Sequence, residues 1–173
     1  MFIIEPIKVS EATGELKIIY KKIQKTLGFV PPHFELFATI DKKSLMDFIE
    51  YNLYFHKHPN IDEKLLPFLR LYIAKKECKK YCINFNTKLL LQNGIKQEIL
   101  DDIYTNIDKL PFDKKQKLLL SKVLFAVYNP EKFSYNDLQE LYDIGFNDKD
   151  FYDLLLYATD FIAKSKMIEI YMK

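Results

Sequence analysis

The chain has 173 residues, 49% of them apolar and 29% charged, with a formal net charge of +2. That balance suits one globular domain with a real core and excludes a disordered or strongly polarised chain. The cations are lysine throughout except for Arg70, and phosphate and base-edge recognition leans on the guanidinium fork, so no nucleic-acid role is expected.

"MFIIEPIKVS" lacks a basic start followed by a long apolar run, so it does not read as a signal peptide. No stretch approaches roughly 18 uncharged apolar residues, so no membrane span is expected and the expected compartment is the cytoplasm. Four glycines point to long regular elements. "TGELKIIYKKIQKTLG" puts Leu16, Ile19, Ile23 and Leu27 on one helical stripe that stops at Gly28. "VPPHFELFATI" breaks the chain and restarts a short helix with Pro32 in its first turn. Asp41 caps the next helix, "KKSLMDFIEYNLYFHK", whose apolar positions include Leu45, Ile49 and Leu53. A fourth helix starts at Asn60 or Asp62 and runs through "EKLLPFLRLYIAKK", with Pro67 tolerable only near its start. "CINFNTKLLLQNG" has a period near 3.6, so Gly94 reads as a C-cap rather than a hairpin turn. "IKQEILDDIYTN" is a short helix, and a longer one begins near Asp113. Ser134 and Asp137 stand at capping-box spacing before a helix that closes at Gly145. The last helix, from about Asn147, carries Phe151, Leu154, Leu155, Ala158, Phe161 and Ile162 on more than one face, as expected of a helix buried centrally or in a subunit interface. The pairs Gly94-Ile95 and Gly145-Phe146 echo one another and read as two independent glycine caps. The expected fold class is all-α, a single domain over residues 1–173 with about eight helices.

The only two cysteines, Cys78 and Cys82, stand in "ECKKYCINFN". On one continuous helix their Cα atoms would lie about 6 Å apart, within disulfide range, although a turn near Cys78 would place the side chains better. In a reducing compartment a catalytic or inert thiol is favoured over a structural disulfide. Lys75, Lys76, Lys79 and Lys80 crowd the stretch, and a helix beginning near Lys79 would put Cys82 in its first turn. Both features favour a thiolate. Equally, free cysteine is among the most buried residue types and packs as a small hydrophobe.

"KKYCINFNTKLLLQNGIKQEIL" resembles the core segment of the alkylhydroperoxidase AhpD-like, or carboxymuconolactone decarboxylase-like, family. That core reads Cys-x-Tyr-Cys, then a histidine four residues on, then a helix ending in glycine, with a glutamate about fifteen residues upstream of the second cysteine. The similarity extends over roughly residues 11–170. The Tyr81-Cys82 pair is in register. The first-cysteine position falls on Lys79, with Cys78 displaced by one, the histidine position on Asn86, and the glutamate position on Pro67, with Glu63 the nearest acid upstream. The resemblance implies a peroxide substrate, a thiol-reductant protein and no cofactor. One thiolate would attack the peroxide and form a sulfenic acid that the second cysteine resolves, with histidine and glutamate relaying the proton. Asn86 only hydrogen-bonds and Pro67 has no side-chain function, so the implied chemistry is expected to be slow or absent, resting on lysine and dipole activation of Cys82. The resemblance also implies a homo-oligomer, a dimer or a hexamer. The alternative, of a different class, is a non-catalytic assembly or small-molecule-binding protein with buried cysteines.

Outside this stretch, His56 and His58 in "FHKHPN" lie near Asp62 and Glu63, but the spacing matches no familiar metal site. They read as solvated histidines at a helix end, and His33 in "PPHF" reads the same way, although His56 folded toward Cys82 would supply the missing base. The twelve tyrosines read as core or interface, and the lysine stripe as a solvated face rather than a dock for an acidic partner.

Overall fold

A computed structural model of the chain describes residues 2–105 and 107–172. Among these, nine α-helices form the regular structure, with a 3-10 turn at Ile107–Lys109 and an isolated antiparallel bridge between Phe2 and Met172. The all-α expectation holds, with nine helices where about eight were expected. Asn106, at the end of the expected helix "IKQEILDDIYTN", lies outside the described residues. The chain forms two compact units, Met1–Lys57 with Ile170–Lys173, and His58–Glu169.

The first unit contains α1 (Gly14–Leu27), α2 (Pro32–Ile40) and α3 (Lys42–His56). Gly28 ends α1 at φ 81°, a left-handed conformation that lets its N–H reach Gln24 O. Pro32 opens α2 where its missing N–H would have no helical acceptor anyway. The Asp41 carboxylate caps α3, accepting from the N–H groups of Lys43 and Ser44. The inward stripe of α3 differs from the expected one. Leu45 and Phe55 are buried while Leu53 is 56% exposed. Spacings of three, four and three residues put Leu45, Phe48, Asn52 and Phe55 on one face, and Leu53 falls off its edge. His33 is buried, not solvated. Its ring meets the edges or faces of Phe34, Phe37 and Phe48 at 4.7, 5.9 and 6.1 Å.

The second unit holds α4 (Leu65–Lys76), α5 (Lys80–Gln92), α6 (Gln97–Asp101), α7 (Lys114–Tyr128), α8 (Tyr135–Asp143) and α9 (Asp148–Tyr171) to Glu169. Helix α4 starts at Leu65, later than expected, because Asp62 closes a turn in which its carbonyl accepts from Leu65 N and its carboxylate from Lys64 N. Pro67 is therefore the third residue of α4, inside the turn whose N–H groups have no helical partner. Leu65, Leu69, Leu71 and Ile73 are fully enclosed, so α4 is apolar nearly all round and packs against α5 and α7. Each such side chain is worth roughly 2 kcal/mol of transfer free energy. The long α9 is less enclosed than its composition suggests. Leu154 and Ala158 face inward, but Tyr152 is 60% and Leu156 42% exposed. Asp113 caps α7, and Ser134 with Asp137 forms the expected capping box of α8.

Candidate functional site

The cysteine stretch is a joint between two helices, not one helix. Helix α4 ends at Lys76 and α5 begins at Lys80. Cys78 lies between them at φ 55°, and no other non-glycine described residue has positive φ. Its N–H donates to Lys75 O at 3.2 Å, and Lys79 N donates to Ala74 O at 2.8 Å. This pair of bonds is the Schellman closure, with Cys78 at the position that favours glycine. The same closure recurs at Gly94, where Gly94 N reaches Leu91 O and Ile95 N reaches Leu90 O, and again at Gly145 and Phe146 with Tyr142 O and Leu141 O. The Gly-Ile and Gly-Phe echo in the sequence is thus a repeated cap.

Both cysteines are free thiols, Cys78 exposed and Cys82 buried, with Cys82 only 4% accessible. Cys82 is the third residue of α5, in its first turn as expected. The surroundings of the thiol work against the expected activation. Burial pushes the Cys82 thiol up to about 11, against the pull of Arg70 and Lys79, and Glu169 adds to the rise. The lysine cluster is dispersed by geometry. Lys75 Nζ donates to Leu100 O at 2.6 Å, Lys76 lies 5.7 Å over the Tyr128 ring, Lys80 is exposed, and Lys79 pairs with Glu169. Only Lys79 acts on Cys82, and its charge is shared with a carboxylate.

Asn86 is 1% exposed and is held at both ends of its amide. Its Nδ2 donates to Cys82 O at 2.8 Å and its Oδ1 accepts from Arg70 Nε at 2.8 Å. Arg70 Nη1 also donates to the hydroxyl of Tyr157, and the guanidinium lies 6.0 Å from the centroid of that ring. Asn86 therefore ties α5 to α4 and α9 and offers the Cys82 thiol no base. Arg70 and Tyr157 were not singled out from the sequence. A signal was present in "LLPFLRLYIA", where a lone cation interrupts the apolar run of a buried helix.

The histidine pair separates. His56 is exposed at the end of α3, whereas the His58 side chain is 2% accessible, which corrects the solvated reading for it. His58 Nδ1 accepts from Ile61 N at 3.1 Å and Asn60 N at 3.3 Å, which leaves Nε2 to carry the proton toward Asp153 Oδ2 at 3.2 Å. Asn60 Nδ2 bonds both oxygens of Asp150 at 3.1 Å, and Asp150 accepts from Asn147 N at the start of α9. The cluster is a structural lock on the 58–62 turn and α9. Among the described residues no group of three His, Cys, Asp or Glu is placed to hold a metal ion, and no helix is long and apolar enough to cross a membrane.

The all-helical architecture is the AhpD-like fold, which two solved structures share. An uncharacterized peroxidase-related protein from Silicibacter sp. TM1040 superposes with a TM-score of 0.75 at 16% identity, over 97% of this chain and 85% of that one. An uncharacterized peroxidase-related protein with an alkylhydroperoxidase AhpD core, from Ralstonia eutropha JMP134, superposes with a TM-score of 0.75 at 17% identity, over 96% of this chain and 88% of that one. No protein-family profile matches the chain, and no curated protein matches it significantly in sequence.

Proposed function

We propose that the protein is a small-molecule-binding member of the AhpD-like architecture in which hydroperoxide-reducing thiol chemistry is strongly attenuated. The observation that carries this reading is the buried Cys82 thiol, raised to about 11, with Asn86, one helical turn on, locked between Arg70 and the Cys82 carbonyl. A peroxide needs a thiolate to attack, and a group at the histidine position to move its proton. Neither condition is supported at Cys82. The test is turnover of an organic hydroperoxide with dithiothreitol as reductant, alongside mass spectrometry of the oxidised protein. The expected result is turnover unchanged by Cys82→Ser and no Cys78–Cys82 disulfide. Turnover that falls with Cys82→Ser, together with that disulfide, overturns the reading and restores a two-cysteine peroxidase. Cys78, exposed at the joint, favours residual thiol chemistry of its own, which Cys78→Ser would abolish. The assembly proposed is a homo-oligomer, supported by the exposed apolar side chains Tyr152, Leu156 and Met167 of α9.

A further inference from the structure

Arg70 is the only arginine in the chain and sits in α4 between Leu69 and Leu71, both fully enclosed. Its side chain is part-buried and held at two points, by Asn86 Oδ1 through Nε and by the Tyr157 hydroxyl through Nη1. Both holders are neutral and deeply buried, at 1% and 4% exposure. Among the described residues no carboxylate pairs with it. Three acids of α9 have other partners: Asp153 pairs with Lys149 and hydrogen-bonds His58, Asp160 pairs with Lys164, and Glu169 pairs with Lys79. The Cys82 thiol does not compensate the charge either, because burial keeps it protonated.

A guanidinium has five N–H donors, and two bonds leave three of them without a protein acceptor. Buried or half-buried charges are ordinarily paired, and an arginine fixed in one orientation by neutral groups is pre-organised for a planar oxyanion. Helix α5, beside it, starts without a side-chain cap, so its first N–H groups add to the positive potential around Cys82. The guanidinium lies 6.0 Å from the centroid of the Tyr157 ring, an apolar surface that suits an organic body better than a hydrated inorganic ion. We infer that Arg70, oriented by Asn86 and Tyr157, binds the carboxylate of a small organic acid next to Cys82. The inference rests on the reading of this region as a binding site and supplies its ligand class.

The lone arginine makes the test direct, because the arginine Nε–H signal of the ¹⁵N-labelled full chain belongs to Arg70. Sodium benzoate is titrated at constant ionic strength, with benzamide as the neutral isostere and inorganic phosphate as the tetrahedral oxyanion. A saturable shift of that signal with benzoate, none with benzamide, and weaker binding of phosphate are expected. Tyr157→Phe, which keeps the ring and removes one anchor, is expected to weaken benzoate about five-fold, the effect of losing roughly one hydrogen bond. No saturable shift with benzoate, an equal shift with benzamide, or unchanged affinity in Tyr157→Phe overturns the inference. Tighter binding of phosphate overturns the organic-acid assignment. Peroxide turnover plays no part in these readouts, so a failure of the proposed function and a failure of this inference are separately visible.

Discussion

A thiol raised to about 11 is ionised in roughly one molecule in ten thousand at pH 7. Iodoacetamide at neutral pH should therefore modify Cys78 and leave Cys82 unmodified until the protein is unfolded, as read by peptide mass spectrometry. The same shift predicts a pH dependence of stability. The folded chain holds Cys82 above its ordinary value near 9, so the unfolded chain loses its proton first as pH rises. The neutral thiol's contribution is complete below about pH 9 and is lost by about pH 11, a fall of roughly 2–3 kcal/mol. Urea unfolding of the native chain against Cys82→Ala should show that difference shrinking across this window, and a pH-independent difference would refute the raised value. At this scale the sequence was only half legible. "YC" located Cys82 and its helical turn. Whether nearby lysines activate a thiol depends on where their ammonium groups find partners, and Leu100, Tyr128 and Glu169 lie far off in the chain. Asn86 hydrogen-bonds, as an amide must, but its partner Arg70 is on another helix and no local pattern links the two.

Helix ends were the most readable elements, because their chemistry is local. Gly28, Asp41, Pro32, Asp113 and the Ser134–Asp137 box all stop or start helices as their residue types require. Asp113→Ala removes the acceptor for Gln116 N at 2.7 Å and should cost about 1 kcal/mol. Gly94→Ala should cost a similar amount through backbone strain alone, since a Cβ there meets nothing within 4 Å. The joint at Cys78 gives the opposite sign. A cysteine in the left-handed region is strained, so Cys78→Gly should stabilise the protein by about 0.5–1 kcal/mol once the added freedom of the unfolded chain is subtracted. Equilibrium denaturation decides each case, and a destabilised Cys78→Gly would show that the thiol makes contacts worth more than the strain. A turn near Cys78 is legible in the sequence, but its glycine-type closure is not, because the glycine position holds a cysteine. The α3 stripe was misplaced because Phe48 and Phe55 outweigh Leu53 in what they bury.

Across the whole molecule, composition and periodicity sufficed for the all-α class, and the resemblance in "KKYCINFNTKLLLQNG" sufficed for the architecture that the two peroxidase-related structures share. Assembly is the property least tied to any local pattern, because exposed apolar positions such as Tyr152 and Leu156 look the same in sequence whether water or a second copy covers them. Light scattering at micromolar concentration should return a mass of at least two chains, and a monodisperse monomer would remove the proposed oligomer. The split between the two thiols makes a finer measurement available. With Cys82 shielded and Cys78 exposed, an unmutated chain accepts one nitroxide spin label, at the α4–α5 joint. Label-to-label distances measured by pulsed electron paramagnetic resonance then count neighbours. A twofold dimer gives one separation, and a hexamer gives several at fixed ratios, so the symmetry of the assembly can be read from a residue that the chain already carries.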